Sequence, residues 1–254
     1  MSTIISCRTG VFGGVETALE YLPKAGIFHA EAPLPADNDY SGLAELAARN
    51  GVNIASVSAQ LNVGSEEGLR TFRDVVDGLQ SIRVPRAFVS AKTGEDQPRS
   101  AVIERLSQLA EYAYERNVTI CMETHPPLGT NGAIARRTLE DVGHPGMRFN
   151  FDTANIYYYN EGTDTITELK KVSEYVGSVH LKDTDGGFKS PHFPPLGQGV
   201  VDFASVFEIL TGEGFSGPYT LEVEGANVQG LDTQGRMQFL RDCMSFLRAL
   251  EVVR

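Results

Sequence analysis

The chain has 254 residues, 41% hydrophobic and 22% charged, enough apolar material for a sizeable core and too much for a disordered segment. Its 22 basic and 33 acidic residues leave a net charge of −11, a field that repels phosphate backbones and argues against a nucleic-acid binder. Cys7, Cys121 and Cys243 form no Cys-x-x-Cys pair, so neither a disulfide framework nor a thiolate zinc site is expected. With no leader pattern and no apolar run of roughly 20 residues, the reading is a cytoplasmic protein that does not enter a membrane.

In chain order, β-rich runs fall at Thr3 to Cys7, Ile27 to Glu31, Asn53 to Ser58, Ala87 to Ser90, Val118 to Glu123, Met147 to Asp152, Val176 to Leu181 and Tyr219 to Val223. Helical patterns lie between them. The clearest spans about Pro98 to Arg116, with Val102, Leu106, Leu109, Ala110 and Ala113 on one face and a proline near its start. A last helix near Asp232 to Leu250 repeats the pattern through Met237, Leu240, Met244 and Leu247 and is expected to close the fold against the first unit.

Eight repeats of strand then helix require parallel pairing through crossovers. A length near 250 residues favours a single-domain (β/α)8 TIM barrel over residues 1–254. The alternative, an open nucleotide-binding sheet, should carry a G-x-G-x-x-G turn after an early strand, and Thr9-Gly10-Val11-Phe12-Gly13-Gly14 lacks that spacing.

Barrel active sites lie at the carboxyl ends of the strands. Four consecutive strands end on an ionisable residue: Glu123, Asp152, His180 and Glu222, separated by 29, 28 and 42 positions. Carboxylates and an imidazole converging on one axis would repel if bare, and one divalent cation resolves this. Oxygen-rich ligation with one imidazole suits Mn²⁺, Mg²⁺ or Co²⁺, with Zn²⁺ an option. Period-two alternation places Thr119 and Cys121 beneath Glu123, Arg148 and Asn150 beneath Asp152, Ser178 beneath His180 and Thr220 beneath Glu222, a polar lining suited to supporting ligands. Just beyond the strand ends, His125, Asn155, Lys182 and Asp183 are candidates for holding substrate oxygens. The long Gly- and Pro-rich stretch Asp185 to Gly199 is expected to be a lid or substrate-contacting loop. Tyr157-Tyr158-Tyr159 offers either a sugar-stacking surface or an outer aromatic cluster.

The segments Met122-Glu123-Thr124-His125-Pro126, Phe151-Asp152-Thr153-Ala154-Asn155, Val179-His180-Leu181-Lys182-Asp183, Pro195-Leu196-Gly197-Gln198-Gly199 and Gly214 to Glu224 resemble the xylose-isomerase-like barrel superfamily, in particular its sugar phosphate isomerase/epimerase group. The resemblance implies that Glu123, Asp152, His180 and Glu222 bind the metal. It further implies that Glu123 and Glu222 exchange protons with a sugar or keto-sugar through a metal-stabilised enediolate, giving an isomerase or epimerase. Asn155 stands where such epimerases often carry His. His192 falls near an endonuclease ligand position but out of register, and is read as a loop residue with substrate contact; five histidines in all do not assemble a trinuclear nuclease site. Two alternatives stay open: an inosose- or 3-keto-sugar-type dehydratase using the same metal, and a non-catalytic carbohydrate-binding barrel. A homo-oligomer is compatible with all three.

Overall fold

Eight parallel strands, paired in sequence order, close on themselves through β1 and β8. The computed structural model describes residues 3–94 and 97–253. The strands are β1 (Ile4–Arg8), β2 (His29–Pro33), β3 (Asn53–Asn62), β4 (Arg86–Lys92), β5 (Thr119–Glu123), β6 (Met147–Asp152), β7 (Val176–Leu181) and β8 (Pro218–Leu221). The crossovers carry α1 (Val15–Tyr21), α2 (Tyr40–Arg49), α3 (Glu66–Ser81), α4 (Arg99–Tyr114), α5 (Gly132–Val142), α6 (Asn155–Tyr159), α7 (Thr165–Val172) and α8 (Phe203–Gly212), and α9 (Thr233–Ala249) ends the chain. The expected (β/α)8 barrel is therefore the fold.

Several helices start where side-chain oxygens can take up free N–H groups. Ser65 accepts from Gly68 at α3, Asp164 from Thr167 at α7, Asp202 from Ser205 at α8 and Asp232 from Gly235 at α9. The apolar positions read for α4 and α9 are all buried. Each such large side chain contributes roughly 1.5–3 kcal/mol on burial. Closure by the last helix is direct: Arg236 donates to the Val11 carbonyl at 2.5 Å, tying α9 to the turn after β1.

Strands β6 and β7 match the sequence reading, and the others shift at their ends. β3 runs on to Asn62 because it continues to pair with β4 up to Asn62 opposite Lys92, with Ala59 and Leu61 buried and Gln60 and Asn62 exposed. β1 ends at Arg8, one residue later than its apolar pattern, and that extra residue proves to belong to the site. β8 stops at Leu221, yet the Glu222 N–H still donates to the Leu181 carbonyl, so Glu222 is positioned as if the strand continued.

Outward-facing Phe149, Phe151, Val179 and Leu221 pack beneath the helices and are fully or almost fully buried. The lining facing the axis is mostly polar. Ser178 donates to Asn150 at 2.6 Å and Ser56 to Glu31 at 2.8 Å, while Phe88 meets the His180 ring at 4.4 Å from across the barrel.

Candidate active site

Parallel register brings the strand-end residues to one level. Glu123 lies opposite Asn150, Asp152 opposite His180, and His180 opposite Thr220. Asp152, His180 and Glu222 are buried, and each offers one ligand-type atom within 4.8 Å of the others. Asp152 is aimed by its own turn: its Oδ1 accepts the N–H groups of Ala154 and Asn155 at 2.9 Å, while Oδ2 faces the Lys182 ammonium at 3.0 Å. His180 is aimed from behind, its Nε2 lying 3.2 Å from a Glu31 oxygen while Nδ1 has no hydrogen-bond partner among the described residues and stands 3.3 Å from Glu222. A carboxylate that fixes one imidazole nitrogen while the other is left to a ligand is the usual support of a metal-bound histidine. Two carboxylate oxygens and an imidazole with a free nitrogen thus form a donor set that fits a divalent cation.

Glu123 stands apart from this trio. Ser90 on β4 donates to its carboxylate, and Tyr159 on α6 packs against His125, ring centres 5.1 Å apart, beside it. Burial pushes the Glu123 carboxyl up, against the Ser90 hydrogen bond and with help from the Glu222 charge. Of the four expected ligands, the structure brings three together and leaves the fourth, Glu123 on the adjoining strand β5, outside the group.

Two cations hold the charge. Lys182 is buried, with its ammonium 3.0 Å from Asp152, 2.9 Å from Glu222 and 2.8 Å from Glu224. Arg8 pairs with Glu222 and lies 3.3 Å from Glu31. Burial alone would raise the Glu222 pKa, but Lys182, His180 and Arg8 outweigh it and hold that carboxyl well below the usual range. Asp152 goes the other way: burial lifts it to about 7 against the pull of Lys182. His180 loses by burial and gains more from Glu31 and Glu222, reaching about 10.

The remaining candidates fall into different places. His125 is exposed, its Nδ1 2.6 Å from the Pro126 carbonyl. Asn155 is buried and donates to the Thr124 carbonyl at 3.2 Å, which ties the turn after β6 to the turn after β5. His192 is exposed on the long loop, and its N–H faces Ser190. Asp183 does not face the cavity: it is buried and accepts N–H groups from Thr184, Gly197, Gly199 and Val201 at 2.8–3.2 Å. The two glycines are required there. A Cβ on Gly199 would sit 2.2 Å from the Thr184 carbonyl oxygen, and Gly197 has φ +84 with Phe246 against it. The stretch 185–199 is consequently a pinned wall rather than a free lid, with Phe193 buried beneath the Lys182 ammonium at 4.8 Å.

Arg8, Glu31, Ser56 and Ser90 escaped the sequence reading as site residues. The detectable signal was Glu31, a carboxylate between Ala30 and Ala32 in the second strand.

Residues 12–243 match the family described as xylose isomerase-like TIM barrel, and the chain belongs to it. L-ribulose-5-phosphate 3-epimerase UlaE of Salmonella paratyphi A is 28% identical over 196 residues, 72% of this chain and 67% of that protein. Among solved structures, D-psicose 3-epimerase with D-tagatose from Clostridium cellulolyticum H10 superposes with a TM-score of 0.80 at 14% identity, covering 98% of this chain and 99% of that one. The IOLI protein with a bound zinc atom gives 0.79 at 16% identity, covering 99% and 98%. These relatives include sugar epimerases, the enzyme class expected from the sequence. Among the described residues no helix is long and apolar enough to cross a membrane.

Proposed function

We propose that the chain is a divalent-metal-dependent epimerase or isomerase of a ketose or keto-sugar. The observation that carries this reading is the buried Asp152–His180–Glu222 trio with a second glutamate, Glu123, at the end of the adjoining strand β5. The names of the relatives support it, since both UlaE and the psicose enzyme are 3-epimerases.

Asp152, His180 and Glu222 would hold the cation, with Glu123 as a further ligand. When bound, a divalent cation polarises a substrate carbonyl and makes the adjoining C–H acidic. The chain's own residues do the rest. One of Glu222 and Glu123 removes the carbon-bound proton, and the other returns a proton from the opposite face for epimerisation or to the neighbouring carbon for isomerisation. Arg8 and Lys182 orient Glu222, Ser90 orients Glu123, and His125 and Tyr159 flank the latter. Phe193 and the pinned loop shield the Lys182 side from water.

The test is incubation of Mn²⁺-loaded protein with a panel of ketoses in deuterated water. Deuterium at the exchanging carbon together with a new epimer or isomer is the expected result. Loss of water with an enone absorbance would replace it by the dehydratase reading, and sugar binding without exchange by that of a non-catalytic binding barrel.

A further inference from the structure

We infer that the sugar taken by this site is uncharged, a free ketose or keto-sugar rather than a phosphate ester. The inference rests on the epimerase or isomerase reading and narrows it.

A terminal phosphate carries close to two negative charges near neutral pH. Proteins hold such groups with unpaired Arg or Lys side chains, backbone N–H groups of Gly-rich turns, or helix N-termini. At this mouth the two cations and the Gly197-Gln198-Gly199 turn are already committed. The cavity of about 310 Å³ is lined by Arg8 as its one cation among the described residues, against Glu31, Glu222 and Glu224. Arg8 is held by Glu222 and Glu31, and its guanidinium lies over the Phe88 ring at 5.4 Å. Lys182 is shared among Asp152, Glu222 and Glu224. The Gly197-Gln198-Gly199 turn, which has the composition of a phosphate cradle, spends the N–H groups of both glycines on Asp183.

Charge accounting gives the same answer. Glu31, Glu123, Asp152, Glu222 and Glu224 place five carboxylates around the site against the fixed cations Arg8 and Lys182. A divalent ion bound by neutral His180 would still leave one net negative charge. A dianionic ester then meets a cavity lining that, among the described residues, holds no uncommitted cation. The exposed lysines Lys92 and Lys189 do not line the cavity. A free ketose needs only hydrogen-bonding partners, which the carboxylates and Ser58 supply. In this respect the chain differs from what the name of its relative UlaE says of that protein, whose sugar is phosphorylated.

The experiment compares L-ribulose, D-ribulose and D-fructose with their terminal phosphate esters on the Mn²⁺-loaded full chain. Calorimetric titration reads binding, and deuterium exchange reads chemistry. A free sugar is expected to bind about tenfold or more tighter than its own ester, as two charges facing a negative site require. Equal or tighter binding of the esters overturns the inference, and so does failure of every free sugar to bind. Exchange decides the parent reading separately: binding of free sugar without exchange sinks the epimerase while leaving the charge preference standing. Glu224→Gln removes one negative charge at the rim, where the side chain is half exposed, and should shift the binding ratio about fivefold toward the ester. An unmoved ratio overturns the electrostatic basis.

Discussion

The two halves of the barrel contribute different things to one site. Strands β5–β8 supply the candidate metal ligands and proton carriers, Glu123, Asp152, His180 and Glu222, while β1–β4 supply Arg8, Glu31, Ser56 and Ser90, which orient them or balance their charge. The second group makes the first usable. Without Glu31, His180 would have no fixed nitrogen, and without Arg8, Glu222 would be a buried carboxylate held by Lys182 and His180 alone. On the proposed reading, with chemistry in one half and support in the other, substitutions on the two sides should differ in kind as well as in size.

Glu222→Gln should test that difference most severely, lowering deuterium exchange by a hundredfold or more, about the contribution of one positioned acid–base group, with the fold intact by circular dichroism. Full exchange in this variant would remove β8 from the chemistry. Asp152→Ala should come next, stripping one member of the trio, so that metal analysis after gel filtration finds little bound ion; retention of a full equivalent would dissolve the trio as a metal centre. On the supporting side, Glu31→Gln should weaken metal affinity by roughly 10–100-fold without abolishing it, as loss of an outer partner of a ligating histidine does. A loss equal to that of Asp152→Ala would erase the distinction between the halves.

The smallest effect lies away from both groups. Asp164→Ala at the start of α7 should cost about 1 kcal/mol in urea unfolding, the ordinary value of an N-cap. The backbone and side-chain hydrogen bonds from Thr167 hold the Asp164 pKa below its usual value. Its contribution is therefore present in full above the normal carboxylate range and fades as the pH falls through the folded-state pKa. The gap between variant and wild type should close in acid, and a gap that widened would contradict the capping role.

The same division explains what the sequence disclosed. β5–β8 end on residues whose charge interrupts an apolar strand, and such an interruption is visible in one dimension. Arg8 lies one position past an apolar run and looks like the first residue of a turn until its pairing with Glu31 and Glu222 is seen. Ser90 has no chemical signature at all without Glu123 opposite it. Lys182 and Asp183 are adjacent in sequence and looked equivalent. Only the fold separates them, sending Lys182 to the carboxylates and Asp183 to the backbone of the following loop. Asn155 likewise has a suitable side chain for a sugar hydroxyl, but it is spent on the Thr124 carbonyl.

The knot of N–H groups around Asp183 bears on how such a barrel diversifies. Both roots of the 185–196 stretch are moored to one buried carboxylate, with Thr184 at the near end and Gly197, Gly199 and Val201 at the far end. Exposed residues between the moorings, such as Phe188 and His192, can be rewritten while His180, three positions upstream of Asp183, keeps its place. Novelty in what the barrel grasps is thereby uncoupled from the geometry with which it reacts.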